Sequence, residues 1–382
     1  MHFVLKLSKL CNLRCTYCYE YDELAVKDRM PREGLEFFIA GVADFALQQR
    51  ARGLPPSEFR FVFHGGEPLL LPDEYLAALR DYQCKFLDPH NIPYGNILQT
   101  NLFRVSKSKI ELLKSLGIRL GVSVDVFGDQ RVTLSGSDSQ DRVLGNLQML
   151  NDIGYLNNPG VGAISVLHKG NIAHAELIYD FFNELRISYR ILPLESGAVD
   201  EAPMRFRHLM ITNVEKVAVL KQIAERHERL NKGIKVLPLD DYEQSARRYL
   251  DGTQALPYDF PDSEWALIVN TNGDAYNSGD EYRPEGYMGN VFRQSLTEIF
   301  ASETYAATVA MRRARMATCQ SCRYRNACTR IPIAEMYACE REYEADGKLQ
   351  CAVALPLITY YIKRLRVMIP STAQAVLGGS AR

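Results

Sequence analysis

Cys11-Asn-Leu-Arg-Cys15-Thr-Tyr-Cys18-Tyr19 is the stretch that decides the fold, and it follows closely on the apolar run 3–7. Three thiolates on one short loop can hold three corners of a cubane iron–sulfur cluster, which leaves the fourth iron open to a small molecule. A partial zinc site is the alternative, but zinc normally takes four ligands from two separated pairs, and no further Cys or His follows nearby. The loop therefore predicts an iron–sulfur site directly after a first strand.

The composition around this loop is that of an ordinary globular protein. The 382 residues are 47% hydrophobic and 24% charged, with a formal net charge of −1. This length supports a large core and a second, smaller domain. The balanced charge argues against a nucleic-acid partner, and no apolar run reaches the roughly eighteen residues that span a bilayer. Met1 leads into a strand without a secretory signal, so we expect a cytoplasmic protein whose nine cysteines serve metal or redox chemistry.

Strands and helices alternate through the first half of the chain. The sequence predicts strands at 2–7, 60–63, 95–99, 119–124, 162–167 and 189–192, and helices at 32–50, 72–86, 107–116, 142–153 and 173–185. Such alternation implies right-handed βαβ crossovers and a parallel sheet. Six units without a clear seventh or eighth predict a partial (β/α)6 barrel, in which chemistry gathers at the carboxyl ends of the strands.

Polar and glycine-rich segments follow several of these strands. Strand two runs into His64-Gly65-Gly66-Glu67-Pro68, and adjacent glycines let the backbone approach a ligand and leave its carbonyls free for an ammonium group. Strand three ends in Gln99-Thr100-Asn101, and strand four in Ser123-Val-Asp125, with Arg131 six residues later. These side chains could address hydroxyl and carboxylate groups of a small molecule. Taken singly, each could instead belong to a tight turn or a solvated loop.

The joint pattern of C-x3-C-x2-C, HGGEP and polar strand ends resembles the radical S-adenosylmethionine (SAM) enzymes. The resemblance implies that the three cysteines hold a SAM-binding 4Fe–4S cluster and that the GGE segment contacts the methionine amino group of SAM. It also implies a fold, a partial (β/α)6 TIM-like barrel of radical SAM type. The SAM-binding residues implied are Tyr17, Gly65, Gly66, Glu67, Pro68, Gln99, Asn101, Ser123, Asp125 and Arg131. One departure is Val126, which stands where relatives commonly have glycine.

The sequence pattern changes around residues 231–262, where 231–233, 237–239 and 252–261 form a loop-rich passage, and we place a domain boundary near residue 235. Residues 1–235 would form the first domain, 236–365 a small α+β domain, and 366–382 a tail. Within the second domain we expect two short strands in 266–276 joined by an Asn-Gly turn, a helix from Leu296, and a terminal helix over 354–364.

A second group of cysteines lies in this region. Cys319, Cys322, Cys328 and Cys351 resemble the C-terminal SPASM region of peptide-maturing radical SAM proteins, which usually binds two auxiliary 4Fe–4S clusters. Ser278 and Pro332 stand where that family has cysteines. The cysteine that the family has ahead of the strand pair, near Trp265, is also missing. The resemblance therefore implies one auxiliary 4Fe–4S cluster on the four remaining cysteines. Cys339 could take the place of Cys351, and a structural zinc is the alternative for the whole group.

This cysteine pattern is most similar to that of cyclophane-forming maturases of ribosomally made peptides. The resemblance implies an oxidoreductase that abstracts hydrogen with a 5′-deoxyadenosyl radical and joins an aromatic ring to the β-carbon of a nearby residue. A base must then take the ring proton, and Asp280 and Glu281 are the candidates. The plainer reading of both is an exposed acid at a hairpin tip. The implied partners are a precursor peptide and a reductant such as flavodoxin or ferredoxin.

Three other functions stay open on the sequence. A peptide epimerase needs a cysteine to return hydrogen, which would be Cys84 or Cys339. An anaerobic sulfatase maturase fits the N-terminal half equally well, but such enzymes normally keep both auxiliary clusters. A zinc-stabilised peptide-binding protein is the non-enzymatic alternative. Because we see no added N-terminal domain to grip a leader peptide, we expect a separate leader-binding protein or strand addition at a sheet edge.

Overall fold

The structure is a computed structural model that describes residues 1–54, 58–156, 161–194, 204–256, 266–277 and 284–368. Its first half alternates strands and helices as predicted, with every predicted boundary within two residues of the observed one. The strands are β1 (His2–Ser8), β2 (Phe59–Gly65), β3 (Tyr94–Thr100), β4 (Ile118–Ser123), β5 (Gly162–Leu167) and β6 (Ser188–Pro193). The helices between them are α1 (Arg32–Ala51), α2 (Asp73–Phe86), α3 (Lys107–Ser115), α4 (Gln140–Asp152) and α5 (Ala175–Glu184).

A seventh parallel strand extends this sheet beyond the six that the sequence predicts. After α6 (Asn213–Leu230), the short strand β7 (Val236–Leu237) pairs in parallel with β6, and α7 (Leu239–Asp251) follows. Two paired residues ahead of Pro238 are too few to produce a two-residue hydrophobic alternation, so the sequence places this stretch in a loop. The seven strands lie side by side in chain order, which is the arrangement of an open, TIM-like barrel.

The outer face of the sheet forms the core against the helices. Phe3 on β1 lies opposite Phe61 on β2, and its ring meets that of Phe38 on α1 edge-on at 5.2 Å. All three side chains are buried. The other face of the same two strands carries Lys6 opposite His64. Lys6 and His64 therefore point into the barrel and the three phenylalanines lie on the helix side, since neighbouring residues of a strand face opposite sides.

The C-terminal region joins the same sheet. β8 (Ala266–Val269) pairs in parallel with β1, and β9 (Asp274–Tyr276) and β10 (Tyr287–Asn290) continue from it in antiparallel pairs. The order of the ten strands is β10-β9-β8-β1-β2-β3-β4-β5-β6-β7. The predicted strand pair thus lies beside the strand that leads into the first cysteine loop.

Helices complete the C-terminal region. They are α8 (Leu296–Phe300), α9 (Glu303–Met316), α10 (Ile331–Ala334) and α11 (Ala354–Met368). α11 buries Leu357 and Ile358 and packs against α6 and α7, as predicted for an apolar terminal helix. Among the described residues, we find no helix with the length and apolar character needed to span a membrane. The predicted boundary at residue 235 stays a prediction, although β7 and α7 follow it.

Candidate active site and cysteine centres

A cavity opens at the carboxyl ends of the barrel strands, with about 1390 Å³ of empty space including the part that is open to solvent. It brings together most of the predicted site, namely Cys11, Cys15, Tyr17, Cys18, Gly65, Gly66, Gln99, Asn101, Ser123 and Arg131. Glu67, Pro68 and Asp125 are not among its lining residues. Cavities at this end of a parallel barrel are where such folds bind ligands, because loops from several strands converge there.

The first cysteine loop is held in place by backbone hydrogen bonds on both sides. The Cys11 amide donates to the Leu24 carbonyl at 3.0 Å, and the Cys18 amide donates to the Cys15 carbonyl at 3.0 Å. The amides of Arg14 and Thr16 donate to the segment around Arg131, which fixes the middle of the loop. The three thiols therefore reach the cavity from a short, well-anchored turn.

The thiols of this loop have the surroundings of metal-cluster ligands. Burial raises the pKa of Cys11 and of Cys18 to about 12 and also raises the pKa of Cys15. The Leu13 amide donates to the Cys11 sulfur at 3.4 Å, and the Asn101 side-chain amide lies 3.6 Å from it. A bound cluster would take the place of the thiol protons, and amide donors aimed at the sulfur stabilise the resulting thiolates. The donor set therefore fits a cluster.

Gly65, the last residue of β2, and Gly66 after it serve backbone packing first. A methyl group on Gly65 would lie 2.1 Å from the Ser8 carbonyl oxygen, and one on Gly66 would lie 2.3 Å from the Leu10 carbonyl oxygen. Gly65 also has a φ of +125°. The Gly66 amide donates to Ser8 at 2.7 Å. Glycine is required here because the loop leading to Cys11 passes directly over this turn.

Glu67 is buried behind the cavity and used within the protein. Its carboxylate accepts hydrogen bonds from the Leu69 amide, the Thr100 hydroxyl and the Asn101 amide, at 2.8–2.9 Å. Burial raises the pKa of Glu67, and these three donors oppose that rise. The side chain therefore ties the end of β2 to the end of β3, and the part of the GGE segment that faces the cavity is its two glycines.

Asp125 anchors two residues that do face the cavity. Its Oδ2 accepts a hydrogen bond from the Tyr17 hydroxyl and lies 3.7 Å from Arg131 Nη1. Its Oδ1 accepts a hydrogen bond from the Val166 amide at 2.7 Å. Arg131 also donates to the Tyr17 hydroxyl at 3.2 Å. Its buried Nε has no hydrogen-bond partner within the described residues. Arg131 also lines the cavity, and a guanidinium in that place is suited to a ligand carboxylate.

A buried ionic cluster below the cysteine loop is missing from the sequence prediction. Lys6 and Glu20 pair at 2.8 Å with side chains 1% and 3% exposed, and Lys6 also contacts the Tyr19 hydroxyl. His64 Nδ1 lies 3.3 Å from Lys6 and accepts from the Gly65 amide at 2.8 Å. Burial, and then the nearby Lys6 charge, lower the pKa of His64 to about 3. The signal available in the sequence is one lysine inside an apolar strand.

Arg205 is a second residue without a sequence signal. Its guanidinium donates to the carbonyls of Thr16 at 3.0 Å and Cys18 at 2.6 Å, and it lies over the Tyr21 ring. Arg205 follows β6 by about a dozen residues, so only the fold brings it to the loop. It closes one side of the cavity with Phe206.

The second centre collects four cysteines between α9 and α11. Burial raises the pKa of the Cys351 thiol to about 12, and the nearby thiols of Cys328, Cys319 and Cys322 add to that rise. A hydrogen bond from the Leu355 amide opposes it. The amides of Tyr324 and Arg330 donate at 3.4 Å to the sulfurs of Cys322 and Cys328. This grouping includes Cys351, as the sequence predicts.

The remaining predicted positions belong to neither cysteine centre or lie outside the residues that the structure describes. Pro332 is the second residue of α10, four residues after Cys328. Cys84 is exposed on α2. The side chain of Cys339 is not described, and Ser278, Asp280 and Glu281 lie outside the described residues. The catalytic assignment of the two acids therefore stays a prediction.

Two protein-family models match the chain. The radical SAM superfamily model matches residues 5–182, and the SPASM iron–sulfur cluster-binding domain model matches residues 264–323. The chain contains a radical SAM domain and a SPASM domain. Radical SAM and SPASM domains bind 4Fe–4S clusters and SAM, so this result agrees with the thiol surroundings of both centres.

Several curated proteins are similar to this radical SAM protein. A serine-type anaerobic sulfatase-maturating enzyme from Bacteroides thetaiotaomicron is 23% identical over 85% of this chain and 80% of its own length. A cysteine-type enzyme from Clostridium novyi is 25% identical over 46% of each chain. An uncharacterised Archaeoglobus fulgidus protein is 28% identical over 45% of this chain. The matches span only 36% of the Archaeoglobus protein and under half of the Clostridium enzyme.

Solved structures share the fold. Native anSMEcpe with bound AdoMet and a peptide has a TM-score of 0.72 at 17% identity, over 96% of this chain and 98% of its own. Streptococcus suis SuiB bound to S-adenosylmethionine has a TM-score of 0.53 at 15% identity, over 88% and 75% of the two chains. At these identities the likeness establishes the architecture of the radical SAM protein and no more.

Proposed function

We propose that this protein is a radical SAM enzyme that modifies a peptide or protein side chain, beginning with hydrogen abstraction from carbon. The observation that carries the proposal is a cavity lined by the thiols of the first cysteine loop together with Gly66, Gln99, Ser123 and Arg131. The cysteines on one side of this cavity are suited to a cluster. The polar groups beside them are suited to a small molecule with amino and carboxylate groups.

In this proposal Cys11, Cys15 and Cys18 hold the SAM-binding 4Fe–4S cluster. When bound and reduced, that cluster with SAM supplies a 5′-deoxyadenosyl radical, which abstracts hydrogen from an unactivated C–H bond. The Arg131 guanidinium binds the SAM carboxylate, and Asp125 keeps that guanidinium oriented. The Gln99 amide, which donates to the Ser123 hydroxyl at 2.8 Å, offers the paired polar groups that a ribose requires.

Cys319, Cys322, Cys328 and Cys351 hold one auxiliary 4Fe–4S cluster in the same proposal. Their four thiols are close enough to influence one another, and amides are aimed at three of them. A single zinc ion would need the sulfurs to surround one point, whereas a cubane takes each sulfur on a different iron. Among the described residues, no Cys, His, Asp or Glu group is arranged around one metal ion.

We infer that the reaction is cyclophane formation on a ribosomally made peptide. One hydrogen atom leaves the β-carbon to 5′-deoxyadenosine, and the new bond forms to an aromatic ring carbon. The ring then loses one electron, which the auxiliary cluster can accept, and one proton, for which Asp280 or Glu281 is the candidate base. The support for this reaction is the cysteine pattern, with Ser278 and Pro332 in place of two SPASM cysteines.

Maturation of a sulfatase is the second candidate function. The sulfatase-maturating relatives favour it, in particular the one that aligns over 85% of this chain. The missing SPASM cysteines count against it, because such enzymes normally keep two auxiliary clusters. Whichever reaction is correct, the partners proposed are a peptide or protein substrate and a reductant such as flavodoxin or ferredoxin.

Co-expression with short peptides encoded beside the gene, followed by mass spectrometry, tests the proposal. Cyclophane formation predicts a loss of two hydrogens and a loop that resists fragmentation between the joined residues. An unchanged mass with altered stereochemistry indicates an epimerase, and Cys84→Ala then tests its hydrogen donor. Activation of a co-expressed sulfatase without any peptide product indicates the second candidate. A protein that binds zinc and peptide but forms no 5′-deoxyadenosine contradicts the enzyme proposal.

A further inference from the structure

A groove lies on the surface between α6 and α11, away from the cavity. Three cationic side chains, Lys221, Arg323 and Lys363, line it, with the apolar surfaces of Leu355, Pro356 and Tyr360 between them. No carboxylate is among its lining residues. The groove therefore combines positive charge with a small apolar floor, which is the character of a site for an acidic protein surface.

The three cations of the groove are not neutralised by neighbours. The structure records no ion pair for any of them among the residues that it describes. Two acids are close by on α6. Glu228 pairs with Arg364 at 2.6 Å, and Glu225 accepts from the Tyr360 hydroxyl at 3.4 Å. Arg364 balances Glu228, and the charge of Glu225 offsets only one of the three cations, so the groove keeps a net positive charge.

Two residues that line the groove also adjoin the second cysteine centre. Arg323 follows Cys322 in the chain, and Leu355, which is 37% exposed, donates its amide to the Cys351 sulfur. Two ligands of the proposed auxiliary cluster are thus next to residues that line the groove. Because electron transfer weakens steeply with distance, a redox protein should bind near the cluster. A protein bound in this groove would contact residues that adjoin two of the proposed ligands.

We propose that this groove docks a small acidic one-electron carrier of the flavodoxin or ferredoxin class, which exchanges electrons with the auxiliary cluster. The inference rests on the proposed function, because it requires the cluster. With a cluster held by Cys319, Cys322, Cys328 and Cys351, the electron released when the substrate radical is oxidised would leave through that cluster, and the oxidised carrier would be reduced by one electron. No bond forms or breaks at the groove, and no proton moves there.

The test compares two charge-reversed variants of the reconstituted enzyme. Lys221→Glu with Lys363→Glu reverses the groove, and Lys107→Glu with Lys235→Glu makes the same change in net charge at exposed lysines elsewhere. Anaerobic calorimetry with purified flavodoxin, and separately with a plant-type ferredoxin, measures binding. We expect the groove variant to bind about tenfold or more weakly at about 20 mM salt, with the difference shrinking at about 300 mM, and the control to match wild type.

A second measurement separates this inference from the proposed function. Dithionite reduces the clusters without a protein partner, so both variants should then form 5′-deoxyadenosine at the wild-type rate. Equal carrier binding by wild type and the groove variant, or no binding of either carrier to wild type at low salt, would overturn the docking site. Failure of wild type to form 5′-deoxyadenosine with dithionite would instead overturn the proposed function.

Discussion

Replacing Gly66 with alanine should disable the first cysteine loop while leaving the second centre intact. The added methyl group would lie 2.3 Å from the Leu10 carbonyl oxygen and 2.4 Å from that of Lys9. Ordinary contact begins at 3.4 Å, so this backbone must move by about 1 Å. The φ of Gly66 is not in the left-handed region, so the effect is steric and does not arise from backbone preference.

The expected magnitude follows from the contacts that the shift disturbs. The Gly66 and Glu67 amides donate to Ser8 and Leu10 at 2.7 and 2.9 Å, and each such bond contributes about 1 kcal/mol net. Overpacking of a well-packed site adds a further ~1–3 kcal/mol. We expect a loss of about 3–5 kcal/mol in the free energy of unfolding and a fall of several degrees in the apparent melting temperature. Cys11 follows Leu10 directly, so cluster loading at the first loop should fall with it.

The assay is iron analysis and electron paramagnetic resonance after anaerobic reconstitution, beside a thermal melt. Gly66→Ala should retain about four irons, those of the auxiliary centre, and that retention shows that the variant is folded. Gly41→Ala is the matched control, because its methyl group meets nothing within 4 Å and lies in the middle of α1, where alanine is favoured by about 1 kcal/mol. Wild-type stability and full iron content in Gly66→Ala would refute the reasoning.

Other predictions concern individual contacts. Glu67→Gln turns a side-chain N–H towards one of the three groups that now donate to this carboxylate. The free energy of unfolding should therefore fall by about 1–3 kcal/mol in urea titrations. An unchanged value would contradict the buried geometry. The pKa of His64 is lowered from 6.5 to about 3, so the unfolded chain takes up a proton below pH 6.5 before the folded one does. The free energy of unfolding should therefore fall as pH drops from 6.5 to about 4, and it should fall less steeply in His64→Asn. The same dependence on pH in wild type and variant would contradict a neutral buried His64 ring. Arg205→Lys should shift the reduction potential of the first cluster more than that of the second in anaerobic redox titrations, because only the first loop loses two carbonyl contacts. Cys351→Ala should lose the auxiliary cluster whereas Cys84→Ala keeps both, and full iron content in Cys351→Ala would move the fourth ligand to another residue.

The barrel could be predicted from the sequence because its elements have strong local patterns. β1 to β6 are apolar runs between polar segments, and α1 to α5 separate them, so their bounds are recovered within two residues. β7 has no such pattern, since only two residues pair before Pro238. The pairing of β8 with β1 joins residues more than 250 positions apart, and no local pattern in either strand specifies that partner.

The site could be predicted where a motif carries the chemistry, and not where tertiary packing does. The cysteines and most strand-end residues come together in one cavity. The sequence assigns Glu67 and Asp125 to the same ligand contacts, and that assignment stays a prediction. In the structure Glu67 accepts a hydrogen bond from the Asn101 amide, and Asp125 forms an ion pair with Arg131 at 3.7 Å. Arg205 and the pair of Lys6 with Glu20 depend on distant segments that only the fold brings together.

Iron, sulfide and 5′-deoxyadenosine analysis of wild type and two triple variants tests the central claim most directly. Reconstituted wild type should hold about eight irons and form 5′-deoxyadenosine from SAM and dithionite. Cys11, Cys15 and Cys18 all changed to alanine should leave about four irons and no product, and Cys319, Cys322 and Cys328 changed to alanine should also leave about four irons but keep SAM cleavage. Zinc in place of iron, or product formation without the first three cysteines, would contradict the account.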